Sequence, residues 1–447
     1  MRLLRRGGIV AASVVLLLVV ALTGVFLWQG PLLLTGTGYA AHNACAVEHV
    51  AGRDDPASDL PPNPLVPYLK VVSGGDVDTA SVLGVGTPQQ ARYVEGFGCT
   101  LASAPLELGE PTVVTSAGNP FTDAVVAAPS PELESALDRA FAAGEPDAVV
   151  ANLGTRGIVV VKDGALVAER YADGFDASTP QLGWSMSKSV TSLMTGMLVK
   201  QGVVALDDDH LRPEWSDERA DITVENLLRM DAGLAWDETY DLGTPITRML
   251  YLEPDMGGYV ASLPLAHAPG EVQQYSSGST TLLCSVLASR TGAGADLPRQ
   301  TIFRALGLSS AVMEPDAAGT PVCSSYLWAT PRDWAAIGQF ALQNGEWNGE
   351  QLLPADWMAR SLTVTDTGVS DDPGYGMGWR TNVLPDGSLR WPSLPSDAYS
   401  ANGHDGQLLL VIPSEGLVVA RLGFTPEASA SDTVVQLAAD ALAALVT

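Results

Sequence analysis

The sequence predicts an α/β chain of the α+β type, with an antiparallel sheet flanked by helices, a helical subdomain, and an N-terminal transmembrane helix ahead of them. Three observations carry that reading. Two apolar hairpins lie far apart, near residues 160 and 410; helical patterns fill the stretch between them; and an uncharged run follows a short basic leader at the N-terminus.

Arg2, Arg5 and Arg6 precede a run from Gly8 to Trp28 that is dominated by Val and Leu. About 20 such residues cross a bilayer as a helix, and the arginines would hold the N-terminus in the cytoplasm while the rest is exported. The run is longer than the apolar stretch of a cleavable signal. Residues 1–28 are therefore expected to be an uncleaved anchor, with cleavage after Ala40 as the alternative. Both place the body of the chain outside the cytoplasm, on the cell membrane or secreted.

Residues 29–129 are weakly periodic and rich in Gly, Pro and Asp, and read as an irregular extracytoplasmic segment. Ser130-Pro131-Glu132 then has the form of an N-cap, a first-turn proline and a first-turn acid. Leu133, Ala136, Leu137, Ala140 and Phe141 follow at helical spacing, opening a domain over 130–447. The runs Gly157–Val161 and Leu166–Ala168, joined through Asp163-Gly164, predict a buried hairpin. Helices are predicted over Trp184–Gly202, Thr223–Met230, Thr280–Arg290 and Pro331–Leu342. A second hairpin, 406–412 with 416–422, and a closing helix over Ser431–Val446 complete the domain.

Composition bounds the function. The 447 residues are 46% hydrophobic, enough for a large core, and carry a formal charge of -27. That charge repels phosphate backbones, so no nucleic-acid partner is expected. Cys45, Cys99, Cys284 and Cys323 in an exported chain allow two disulfides in three connectivities. Cys45 with Cys99 is favoured because both lie in the Gly/Pro-rich segment, whereas Cys284 falls in a predicted helix and reads as simply buried. No CxxC occurs, so no structural zinc is expected.

The chemistry centres on Ser185-Met186-Ser187-Lys188 at the start of a predicted helix. Residues three apart share a helix face, which brings hydroxyl and amine together. A lysine that loses its charge through burial is a base for the serine, and the helix N-terminus offers free N–H groups to an oxyanion. Ser-x-x-Lys alone is weak evidence, but two further elements follow in order. Tyr275-Ser276-Ser277 comes after Pro269-Gly270 and before a helix, where a phenol can relay protons. His404-Asp405-Gly406 stands at the start of a buried strand, with a glycine that admits substrate to the strand edge.

These elements resemble the serine β-lactamase and penicillin-binding superfamily, in particular its class C-like esterase and 6-aminohexanoate-dimer hydrolase branch. The resemblance covers most of Ser130 to Thr447 and rests on Gly183-Trp184-Ser185-Met186-Ser187-Lys188-Ser189, Tyr275-Ser276-Ser277-Gly278 and Gly403-His404-Asp405-Gly406-Gln407. Weaker matches are Gly374-Tyr375-Gly376-Met377-Gly378-Trp379 and Met230-Asp231-Ala232-Gly233-Leu234. It implies a β-lactamase/transpeptidase-like fold, Ser185 as nucleophile, Lys188 as its base and Tyr275 as proton shuttle. It further implies an oxyanion hole from the backbone N–H groups of Ser185 and Gln407, and a small amide or ester as substrate with no cofactor. His404, Gly406, Ser277 and Trp379 are the expected substrate contacts.

Two departures matter. Penicillin-destroying members usually carry Asn where Ser277 stands and Lys where His404 stands. A histidine lacks lysine's permanent charge for a β-lactam carboxylate, which favours an esterase or amidase over a β-lactamase or peptidase of cell-wall-like substrates. A membrane-tethered sensor that binds without turnover is the rival from another class. The short stretch before the apolar run offers it no cytoplasmic output domain.

Overall fold

The computed structural model describes Ser13, Leu16, Gly24 and residues 28–445 apart from 62, 365–366 and 426–429, with the backbone alone for 430–433 and 445. At its centre is a six-stranded antiparallel sheet in the order Arg380–Thr381, Tyr399–Asn402, Leu408–Ile412, Leu417–Gly423, Thr155–Lys162, Ala165–Tyr171. The two predicted hairpins thus meet in the middle of one sheet, although some 250 residues separate them along the chain. Val159 pairs with Ala420, Val160 with Val419 and Val161 with Val418.

Side chains alternate between the faces of a strand, and here both faces are covered. Ile158, Val160, Leu410 and Val419 pack with Leu133, Leu137 and Leu437 of the helices Pro131–Ala140 and Ala430–Leu445. Val159, Val161, Leu409 and Val418 join Trp334, Ile337 and Phe340 of the helix Pro331–Leu342 in the larger core. Burial on both sides explains why these strands read as unbroken apolar runs. The Asp163-Gly164 turn has both residues at positive φ, 51° and 77°, a geometry that matches strand twist in a two-residue hairpin.

The helical subdomain holds Val224–Arg229, Pro245–Leu252, Met256–Ala261 and Ser277–Thr291. Local signals set their ends. Thr223 and Asn226 form a reciprocal cap and Met230 closes the same helix at φ 62°, while outside the subdomain Ser130 caps Pro131–Ala140 by accepting from the Leu133 N–H.

Residues 29–129 are not the irregular cover the sequence suggests. They contain a helix, Gly30–His49, and a four-stranded antiparallel sheet of Leu69–Ser73, Val77–Val82, Gly86–Val94 and Gly98–Leu101. The buried residues of that helix include Gly36, Gly38, Ala40, Ala41 and Ala44, which leave no strong apolar stripe to read. Small side chains are what the packing requires, since a Cβ on Gly38 would lie 3.0 Å from the Tyr251 carbonyl. Tertiary contact thus outweighs the low helix propensity of glycine. Among the described residues no helix is long and apolar enough to cross a membrane. The expected span from Gly8 to Trp28 lies almost wholly outside them.

Cys45 and Cys99 are bonded, joining the first helix to the last strand of the small sheet. Cys284 is buried but not free: it pairs with Cys323, so the expectation of a lone buried thiol is corrected. The partner lies in a loop 39 residues on, beyond the reach of local pattern.

The N-terminal segment is held to the main domain by Asp59. Its carboxylate takes Arg53 at 2.8 and 3.0 Å and Arg156, on the central sheet, at 2.6 and 2.9 Å. Burial opposes ionisation, but the two guanidiniums outweigh it and draw the carboxyl down to about 2. A depressed carboxylate stabilises the fold above its unfolded value and loses that contribution as pH falls through the folded one. Asp59→Ala should lower the unfolding free energy at neutral pH by about 3–5 kcal/mol by stranding two buried guanidiniums. In denaturant titrations the gap between parent and variant should narrow as pH falls from about 4 toward 2.

Candidate active site

The chain reaches the nucleophile through a tight turn. Gly183 backs onto Trp334, whose ring leaves no room for a Cβ. Trp184 sits at φ 48°, a costly conformation for a bulky residue that only its surroundings can impose. Those surroundings are Tyr39, Tyr240, Tyr326 and His404, with ring centroids 5.8–6.5 Å away. Ser185 is then the N-cap of the helix Met186–Lys200, at its partly positive end.

Lys188 lies one turn on, and its side chain is almost wholly buried. Nζ is 2.8 Å from Ser185 Oγ, 2.8 Å from Ser277 Oγ and 3.0 Å from the Ser324 carbonyl. Ser277 in turn donates its hydroxyl to Glu238 Oε1. Glu238 Oε2 also accepts from the Ser277 N–H at 2.8 Å and from Trp236 Nε1 at 2.6 Å.

The direction of these bonds has a chemical consequence. A carboxylate only accepts, so the Ser277 hydroxyl points at Glu238 and its oxygen must accept from Lys188. The Ser324 carbonyl likewise only accepts. In the neutral amine both N–H bonds are thereby committed, and the lone pair is left facing Ser185 Oγ, oriented to take its proton. Ser324 is positioned by Thr281, whose hydroxyl donates to Ser324 Oγ at 2.9 Å, and by the neighbouring disulfide of Cys323.

Tyr275 stands beside this group, with its ring centroid 5.0 Å from Lys188 Nζ. On it also lies the guanidinium of Arg380, 4.8 Å from the centroid, with Tyr375 edge-on at 5.5 Å. Arg380 is paired with Asp372 at 2.7 Å. Burial alone would weaken its hold on its proton, but Tyr275, Asp372 and Tyr375 more than compensate and raise it above the usual arginine value. The Tyr275 ring is therefore in contact with both the Lys188 amine and the Arg380 guanidinium.

The second strand element comes close to the nucleophile. A Cβ on Gly403 would sit 2.2 Å from the Gly183 carbonyl, which places the 403–407 turn against the chain leading to Ser185. The Gln407 side-chain amide is bound to both backbone groups of Gly423, at 2.5 and 2.9 Å. Gln407 is thus left with its backbone to offer the cleft. Gly406, at φ 83°, gives its carbonyl to Arg421 at 2.8 Å. His404 and Asp405 form a short 3-10 turn ahead of the strand rather than its first residues. His404 is exposed and stacked on Tyr240 at 4.5 Å, while burial pushes the Asp405 carboxyl up.

The structure thus gathers Ser185, Lys188, Ser277 and Tyr275, and sets Gln407 and His404 alongside. Trp379 is a correction: it is fully buried, edge-on to Tyr399 at 5.3 Å, and belongs to the core instead of a substrate wall. Glu238, Ser324 and Arg380 were not predicted. Glu238 reads as part of a solvated acidic turn, and its bond to a serine 39 residues on leaves no local trace. Arg380 directly follows the Gly374–Trp379 motif, which is the one sequence signal that could have pointed to it.

A buried lysine one helical turn from a serine at the helix N-terminus, with a tyrosine ring beside the lysine, defines the acyl-transferring serine hydrolases of the Ser-x-x-Lys type. The chain belongs to the Beta-lactamase family, whose model matches residues 147–441. Solved structures share the fold. A Bacillus anthracis protein assigned as a 6-aminohexanoate-dimer hydrolase superposes with TM-score 0.61 at 22% identity, covering 75% of this chain and 90% of its own. A penicillin-binding protein homologue from Caulobacter crescentus gives 0.54 at 18%, covering 71% and 99%. A family VIII carboxylesterase gives 0.52 at 15%, covering 70% and 98%.

Because Glu238 orients the chain of hydrogen bonds without reaching substrate, Glu238→Ala should lower kcat far more than it raises KM. The loss should be about tenfold to a hundredfold, the worth of one hydrogen bond to a charged group. Steady-state kinetics on an activated ester, with a thermal melt to confirm folding, separates this from general destabilisation.

Proposed function

We propose that this serine hydrolase cleaves a small amide or ester, such as a 6-aminohexanoate-type amide or a short-chain ester, through an acyl-enzyme on Ser185. The observation that carries the reading is the 2.8 Å contact from Lys188 Nζ to Ser185 Oγ, with the other two Nζ bonds committed to Ser277 and Ser324. Lys188 takes the Ser185 proton as Oγ attacks the carbonyl carbon. The oxyanion is met by the backbone N–H groups of Ser185 and Gln407, each worth about 10²- to 10³-fold in rate. Tyr275 passes the proton to the leaving group and later draws one from the water that frees the acyl group. Gly406 borders the substrate and His404 supplies a rim contact, whereas Ser277, expected as a substrate contact, is fully buried with its hydroxyl bound to Lys188 and Glu238 and acts on the lysine instead.

A β-lactamase or peptidase would share this chemistry and differ in the pocket. His404 stands against Tyr240, Trp184 and Asp405, and a histidine at this position lacks the permanent charge that a lysine would offer a substrate carboxylate. The same feature favours neutral esters and amides. We place the enzyme outside the cytoplasm, tethered through residues 1–28. Support comes from the apolar run at the N-terminus and from two disulfides, which persist in oxidising compartments.

The test is hydrolysis of a short-chain chromogenic ester and of a 6-aminohexanoate dimer by the full chain and by Ser185→Ala. The parent should turn over at least one of them, and the variant should lose about 10³-fold or more. Equal activity in the two proteins would remove Ser185 from the mechanism, and turnover of neither substrate would favour a binding role.

A further inference from the structure

Beside the nucleophile lies a cavity of about 250 Å³ that the catalytic motifs do not account for. Trp184, Tyr240 and His404 form one side, and Leu65, Val66 and Leu69 the other. The second group comes from the N-terminal segment, which precedes the residues matched by the family model. All three of its apolar side chains are half-buried, turned into a space that no other part of the described chain fills. The volume falls just below the roughly 300–1,000 Å³ of a whole-ligand pocket, so it suits part of a substrate.

We propose that this cavity is an acyl-chain subsite, built by Leu60, Pro61, Leu65, Val66 and Leu69 against the catalytic domain, for an uncharged, apolar acyl group of medium length. The inference rests on the acyl-enzyme reading and adds to it the substrate class. After attack the acyl group stays bonded to Ser185, so its chain must lodge among the residues flanking that serine, and Trp184 and His404 are two of them. The leaving group departs toward Tyr275. Ser185 itself does not line the cavity, and neither do Tyr275, Arg380 and Tyr375; the cavity meets the nucleophile's surroundings through Trp184, next in the chain, and His404. Its charge character agrees: among the described residues no lysine or arginine lines it, whereas Asp241 does. A carboxylate-bearing chain would find no permanent cation there.

The experiment is a series of p-nitrophenyl esters, from acetate through butyrate and hexanoate to octanoate, with the leaving group held constant. For the full-length parent, kcat/KM should rise roughly three- to fourfold per added methylene until the cavity is full, in line with transfer of each group from water. Val66→Phe fills the cavity and should cut the hexanoate-to-acetate ratio at least tenfold. Leu65→Ala enlarges it and should move the preferred length upward, a change that misfolding does not produce. A parent profile that is flat with chain length, or that both variants leave in place, overturns the subsite.

Failure of the acyl-enzyme reading is distinguishable. If the parent hydrolyses none of the esters, calorimetric binding of hexanamide to parent and to Val66→Phe decides the matter. Binding that the variant loses supports the cavity as an apolar site, and no binding to the parent overturns it.

Discussion

One nitrogen, Nζ of Lys188, ties together three segments that are remote in the chain: the start of the helix Met186–Lys200, the start of the helix Ser277–Thr291, and the loop at Ser324. Each must be held to within a few tenths of an ångström for the amine to be satisfied, because a buried polar group without partners is costly. Much of the surrounding construction serves that requirement. The Cys284–Cys323 bond and the Thr281 hydroxyl hold the Ser324 loop. Glu238 holds Ser277 at both its N–H and its hydroxyl. Gly183, Gly378 and Gly403 allow backbone and rings to close in around the nucleophile where a Cβ would collide.

The substitution of Ser277 for the asparagine usual in β-lactam-cleaving relatives has a physical reading in this setting. A serine hydroxyl has one proton to give, and Glu238 takes it, so the oxygen can only receive from Lys188. An amide would present both donors and an acceptor and would not impose a single direction. The pairing of Ser277 with Glu238 therefore does with two residues what a fixed hydrogen-bond polarity needs. Arg380 adds a permanent, half-buried cation 4.8 Å from the centre of the Tyr275 ring.

The N-terminal segment turns from cover to component in this view. It is braced internally by the Cys45–Cys99 bond, tied to the main domain by the pairing of Asp59 with Arg156, and packed on the Tyr251 backbone through Gly38. Rigid attachment is the precondition for a wall that selects by shape, since a loosely held wall would accommodate any chain. The same segment carries Tyr39, which stacks toward Trp184 next to the nucleophile.

The sequence by itself determined whatever depends on neighbours along the chain. The serine and lysine three apart on one helix, the Asp163-Gly164 hairpin, the cap at Ser130, the helix from Thr223, and the well-buried strands were all legible, because periodicity and turn chemistry are local. The resemblance supplied the order of the three motifs. Only the tertiary structure decided the rest: that Glu238 aims the hydrogen bonds of a lysine 50 residues earlier, that Cys284 is paired, that Trp379 is core, and that a glycine-rich stretch is a packed helix. The physical reason is common to all four. Hydrogen-bond direction, cross-links and close packing of small residues are set by groups distant in sequence, and no period or motif along one segment records what another segment will place against it.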